Sequence, residues 1–180
     1  MKYLKSLLAT IIAFLCCYYW GEFSGFTSFS FAYILHFVLM PWYVYLDSLF
    51  KWKYNFSYFQ TKKFEKEGAI YKLIGVNLYR KLLVWCGWER ISRKEIKISG
   101  RKSAIELAEY KSRSSEAGHT LLFLMVTFIT FLIADNLREA LWLVVLNVVI
   151  NLYPILVQRY NRPRYKRALE IIETRSFKGN

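Results

Sequence analysis

Ala140 to Arg164 reads Ala-Leu-Trp-Leu-Val-Val-Leu-Asn-Val-Val-Ile-Asn-Leu-Tyr-Pro-Ile-Leu-Val-Gln-Arg-Tyr-Asn-Arg-Pro-Arg. The stretch carries no formal charge until Arg159. A helix needs roughly 20 apolar residues to cross a hydrocarbon core of about 30 Å. The run therefore predicts a membrane-spanning helix whose end, at Arg159, Arg162 and Arg164, sits among headgroups and cytosolic solutes. Asn147 and Asn151 stand four apart on one face of this helix, where an amide left facing lipid costs free energy, so both are expected to face a bundle interior. Pro154 removes an amide donor and predicts a kink.

Three further stretches have the same character. Leu4–Trp20 is interrupted only by Lys5, Phe23–Leu46 carries no formal charge, and neither does Thr120–Ala134. The expected fold is an all-α integral membrane protein, one membrane domain over 1–180, with four transmembrane helices at about 4–20, 29–46, 119–134 and 140–158. An insert at 51–118 and a basic tail at 159–180 complete it. The first stretch follows Lys2 and Lys5 as a signal peptide would, but no small-x-small cleavage site follows it, so it is read as a retained helix. Of the 26 Lys and Arg, 25 fall at the start of span one, in the insert and in the tail. The positive-inside rule then places both termini and the insert in the cytoplasm, in a multi-pass protein of the cell membrane.

Composition excludes several classes. Aromatic residues at 19% argue against disorder. Three cysteines do not make a disulfide framework, and with two histidines they offer no metal-site spacing, so no metal is expected. The net charge of +13 is accounted for by orientation and by attraction to anionic lipids, so nucleic acid is not an expected partner.

Within the insert, Tyr71, Ile74, Leu78, Leu82 and Trp85 recur at helical spacing, with Lys66, Lys72, Arg80 and Lys81 on other faces. Such a helix can lie in the headgroup boundary or pack on the bundle. Gly68, Gly75 and Gly87 predict breaks in it. Residues 91–104 are mostly polar, with Ile96 and Ile98 too short an alternation to separate strand from loop.

Both histidines fall at membrane segments, where an ionisable group is costly unless bonded or functional. Glu116 lies three residues before His119, one helical turn away, so the carboxylate is expected to orient the imidazole and leave its other nitrogen as a general base. His36 has no charged neighbour in sequence and is expected to make a helix–helix hydrogen bond. No phosphate-binding glycine loop, nucleophile elbow or His-x4-Asp acyltransferase box occurs.

Gln158-Arg159-Tyr160-Asn161-Arg162-Pro163-Arg164, with Asn151 and Pro154 upstream, resembles the C-terminal signature of the glycosyl-4,4'-diaponeurosporenoate acyltransferase family. Glu116-Ala117-Gly118-His119 resembles its Glu-x-x-His element, and Phe64-Glu65 with Gly68 and Tyr71 resembles its Phe-Glu-x-x-Gly-x-x-Tyr element. The similarity runs over about residues 30–172. This chain departs from the pattern at Ser114, where the family places arginine, and at Thr120, where it places tryptophan.

The resemblance implies an O-acyltransferase that moves a fatty acyl group from a thioester to a sugar hydroxyl of a membrane glycolipid, a glycosylated carotenoid being the type acceptor. Glu116 and His119 are the implied catalytic pair. Asn151, Gln158, Arg159, Tyr160, Asn161, Arg162 and Arg164 would meet substrate or donor, with Glu65 and Asn147 in support. No tightly bound cofactor is implied; acyl-CoA or acyl carrier protein serves as co-substrate. A small membrane methyltransferase is the other enzymatic reading, although its usual Arg-His-Pro is absent. A lipid-binding scaffold, with Glu116 and His119 merely paired, is the non-enzymatic one.

Overall fold

The computed structural model describes residues 1–87 and 101–178; residues 91–100 of the polar stretch above lie outside them. Among the described residues the chain is helical and has no strand. Its principal helices are α1 (Lys2–Ser24), α2 (Phe29–Phe50), α3 (Ala69–Leu73), α4 (Val76–Trp85), α5 (Arg101–Ile133), α6 (Leu137–Asn147) and α7 (Tyr153–Lys178). Four helical stretches are long and apolar enough to cross a membrane: Lys2–Ser24, Phe29–Phe50, Lys102–Ile133 and Leu137–Thr174. The chain divides into two compact units, Met1–Lys53 with Ala117–Pro154, and Tyr54–Glu116 with Ile155–Asn180.

The first unit is a bundle of apolar helices. Ser28 caps α2 by accepting from the Phe31 amide at 3.0 Å, which satisfies a donor the helix leaves open. Asn136 caps α6 by accepting from Arg138 and Glu139, while Glu139 reaches back to the Asp135 amide at 3.1 Å. Phe31, Ala32, Leu35, Leu39 and Tyr43 of α2 bury against Leu122 and Val126 of α5 and Leu143 of α6. Gly118 lies under the Tyr43 ring, and a Cβ there would run into it. α1 stays largely exposed and is pinned by the Trp42 indole donating to Thr10 and that of Trp20 donating to Ser30, each at 3.1 Å. In hydrocarbon an exposed apolar face carries no penalty, so pins and close packing hold such helices together.

Spans three and four run further than expected. α5 begins at Arg101, so residues 101–118, placed in the insert by hydropathy, are already helix. No proline interrupts them, and Ala104, Ala108, Ser112 and Glu116 form a buried stripe at four-residue spacing. The last span continues through the predicted tail to Lys178. Its irregularity is a wide π turn at Val148–Leu152, directly before Pro154; the extra residue makes room where the ring would crowd a carbonyl one turn earlier.

The second unit is built around 3₁₀ turns at Ser57–Phe59 and Lys63–Gly68 and the short helices α3 and α4. Gly68 and Gly75 have φ of 90° and 84° and separate these elements, and Gly87 follows α4 at 78°, as the glycine breaks predicted. Tyr71, Val76, Val157 and Tyr160 form the core. The apolar stripe splits: Tyr71 is buried, whereas Leu78 and Trp85 are 74% and 85% exposed. Among the described residues nothing covers these two side chains, the kind of apolar face that a headgroup boundary accommodates.

Candidate active site

In the second unit two carboxylates and two arginines interlock. Glu65, on the Lys63–Gly68 turn, accepts from the Tyr71 hydroxyl at 2.6 Å, from Arg159 Nη1 at 2.7 Å and from the Lys62 amide at 2.8 Å. Glu116 accepts from Arg159 Nε at 2.8 Å and, through its other oxygen, from Arg162 Nη2. Arg159 Nη2 donates to the Tyr58 carbonyl at 2.8 Å, and the guanidinium lies 4.6 Å from the centre of the Tyr58 ring. Arg162 Nη1 donates to the Phe59 carbonyl at 2.8 Å. Both carboxylates are almost wholly buried, Glu116 completely.

Isolated charges at such burial would be prohibitive, so the cluster exists only because positive and negative groups are matched and hydrogen-bonded. Burial alone would push the Glu65 carboxyl up, but the bonds from Tyr71, Arg159 and the Lys62 amide outweigh it and hold the group below the ordinary 4.5. The Tyr71 hydroxyl, buried and donating to that carboxylate, is pushed well above the usual phenol range.

Two sequence elements thus explain each other. Phe64-Glu65-x-x-Gly68-x-x-Tyr71 closes on itself through the Glu65–Tyr71 bond and meets Arg159 of the Gln158–Arg164 run. At Gly68 a Cβ would approach the Tyr160 carbonyl at 3.1 Å, so the turn needs glycine both for its φ and for clearance. Gln158 donates to Ser115 at 3.3 Å. Asn161 is half-buried and makes none of the lattice's hydrogen bonds.

The first unit holds a second, uncharged network. Asn147 Nδ2 donates to the Phe123 carbonyl at 3.0 Å and to Thr127 at 3.1 Å. Its Oδ1 accepts from Asn151 Nδ2 at 2.8 Å, and Asn151 Oδ1 faces His119 Nδ1 at 3.2 Å. A carbonyl only accepts, so the direction of every bond follows from Phe123. His119 Nδ1 must then carry the proton, and Nε2 keeps its lone pair. The π turn carries Asn151, which is completely buried.

The orienting partner of His119 is therefore Asn151, whereas the Glu116 carboxylate, expected in that role, is engaged by Arg159 and Arg162. An ionised carboxylate gains more from two guanidinium groups than from a neutral imidazole. His36 also differs from expectation. Its Nδ1 bonds to the Ala32 carbonyl of its own helix at 2.7 Å, and among the described residues its buried Nε2, beside Asn147, has no partner at hydrogen-bonding geometry.

A match to the family described as glycosyl-4,4'-diaponeurosporenoate acyltransferase covers residues 55–171. The chain belongs to that acyltransferase family. No curated protein and no solved structure matches it. The matched segment contains every residue of the lattice and, of the neutral chain, His119, Phe123, Thr127, Asn147 and Asn151. α1 and α2 precede it.

As a family member the chain is an enzyme, and the two networks offer it different means. The neutral one presents a lone pair at a half-buried histidine. The charged one commits every nitrogen of Arg159 and both terminal nitrogens of Arg162 to the protein. Among the described residues no three His, Cys, Asp or Glu side chains converge as metal ligands.

Proposed function

We propose that this acyltransferase moves a fatty acyl group from an activated thioester to a sugar hydroxyl of a glycosylated carotenoid or a similar membrane glycolipid, at the cytoplasmic face of the cell membrane. The observation that carries the reading, beside family membership, is the amide chain that holds His119 as the Nδ1–H tautomer.

In this mechanism His119 Nε2 takes the proton of the sugar hydroxyl as its oxygen attacks the thioester carbonyl. The C–O bond forms, the carbonyl electrons move to oxygen, and a tetrahedral intermediate results. Its collapse breaks the C–S bond, and the imidazolium returns the proton to the departing thiolate. Asn151 Oδ1 accepts from Nδ1–H throughout, which keeps Nε2 aimed and stabilises the imidazolium. Glu116 acts at one remove, by fixing the arginines of α7. Donors at the developing oxyanion contribute roughly 3–4 kcal/mol each in such reactions. Acyl-CoA and acyl carrier protein both fit as thioester donors.

Comparative lipid mass spectrometry of cells carrying the native chain, His119→Ala or a deletion tests the reading. The variant and the deletion should accumulate the same lipid, lighter than the product by one acyl residue, because loss of a general base costs about 10²–10⁴-fold in rate. An unchanged lipid profile with the protein expressed would overturn it.

A further inference from the structure

α4 has two apolar faces, and the second unit uses one of them. Val76 is completely buried and packs with Tyr71, Val157 and Tyr160, with Tyr79 against the same cluster. The other face carries Leu78, Leu82 and Trp85, spaced four and three residues apart on one side of the helix and all exposed. Among the described residues of the second unit, the three most exposed large apolar side chains are Leu73, Trp85 and Leu78. The exposure is thus concentrated between Leu73 and Trp85 rather than scattered, which is the mark of an interaction surface.

The charges around this face say what fits it. From Gly68 to Gly87 the chain has no Asp or Glu and carries Lys72, Arg80 and Lys81. Asn77, Arg80, Lys81 and Val84 line a hollow along one side of α4, so polar and cationic groups border the leucines and Trp85. Lysine is depleted at protein–protein interfaces. Leucines and a tryptophan beside Lys and Arg are instead the composition of helices that lie on anionic bilayers. The spans of the same chain keep a bilayer within reach, so the contact is intramolecular and needs little affinity of its own.

We infer that α4 is an interfacial helix whose Leu78, Leu82 and Trp85 face docks into an anionic phospholipid leaflet, with Lys72 and Lys81 among the lipid phosphates. Burial of the apolar side chains supplies attraction to any headgroup boundary, and the cations add a part that depends on the charge of the leaflet. Because Val76 packs on Val157 and Tyr160, the docked helix ties the stretch of α7 that carries Arg159 to the lipid surface. The inference concerns a lipid partner and does not depend on which acyl group is transferred.

The test places a nitroxide on the full chain in nanodiscs of phosphatidylcholine, alone or with phosphatidylglycerol. With Cys16, Cys17 and Cys86 replaced by serine, the label is attached at L78C, on the apolar face, or at N77C, in the hollow. Relaxation by oxygen, which concentrates among acyl chains, is compared with relaxation by a water-soluble nickel chelate. The label at 78 should be oxygen-favoured, roughly 5–10 Å into the boundary of headgroups and acyl chains, and the label at 77 nickel-favoured. Phosphatidylglycerol should deepen the label at 78, and K72Q/K81Q should abolish that dependence. L82E/W85E should turn the label at 78 nickel-favoured. A nickel-favoured label at 78 without those two changes would place the face in water and overturn the docking. Exclusion of both reagents there would overturn it as well, since protein, from this chain or a second copy, would then cover the face. A depth indifferent to phosphatidylglycerol would remove the anionic leaflet as the partner. The readout needs no turnover, so a docked helix in an inactive protein would leave this inference standing and count only against the acyl-transfer reading.

Discussion

Two buried polar networks in one small chain solve the same problem differently. The chain from Phe123 through Asn147 and Asn151 to His119 uses neutral groups, one donor per acceptor, and ends on a nitrogen with a lone pair to offer. The lattice of Glu65, Glu116, Arg159 and Arg162 uses full charges and spends them on each other. Neutral groups are what a membrane bundle can bury cheaply, while charges are tolerated there only when matched. On the proposed function the neutral chain carries the chemistry and the charged one rigidity.

The sharpest way to break that assignment is to set Glu116→Ala beside His119→Ala. Removing Glu116 leaves two guanidinium groups buried without their carboxylate, and should lower stability by about 3–5 kcal/mol in thermal or denaturant unfolding of the detergent-solubilised protein. His119→Ala should abolish transfer with the unfolding midpoint nearly unchanged. If Glu116→Ala unfolded normally and lost only kcat, the carboxylate would belong to the chemistry and the division would fail.

Gly118→Ala sharpens the comparison from the side of the bundle. The added methyl meets the Tyr43 ring, and overpacking of this kind costs about 1–3 kcal/mol. The same assay should register it, whereas an unchanged midpoint would mean the helices separate freely there. Tyr71→Phe removes one donor to Glu65 while two nitrogens remain, so about 1 kcal/mol is expected. A loss as large as that of Glu116→Ala would show the lattice to be more cooperative than its pairwise bonds suggest.

The smallest effect is set by pH. Because Glu65 is held below the ordinary 4.5 in the folded protein, its contribution is present above that value and is lost as pH falls through the folded one. The unfolding midpoint should therefore drop on acidification below about 4.5 more steeply in the native chain than in Glu65→Gln. Parallel curves would remove Glu65 as a source of acid sensitivity.

Much of this was legible in the chain of residues. Spans follow from uncharged runs, and the breaks at Gly68, Gly75 and Gly87 from backbone freedom. Asn147 and Asn151 were expected inside the bundle, and they are buried there. The extension of α5 back to Arg101 was missed because hydropathy sees only lipid-facing residues. The signal was present in Ala104, Ala108, Ser112 and Glu116, a stripe of small residues at helical spacing ending on the key carboxylate. The Glu116–His119 pairing was a reasonable local inference that neglected distant competitors for the same oxygens.

The sequence by itself determined an all-helical membrane chain and the residue types available to a site, because hydropathy, turn preference and helical spacing are short-range properties. Only the tertiary structure decided who pairs with whom. Arg159 reaches Glu65 across 94 residues and Glu116 across 43, and any of the 26 cations could in principle have met either carboxylate. Packing selects the pair, and by taking Glu116 for the arginines it leaves His119 to Asn151.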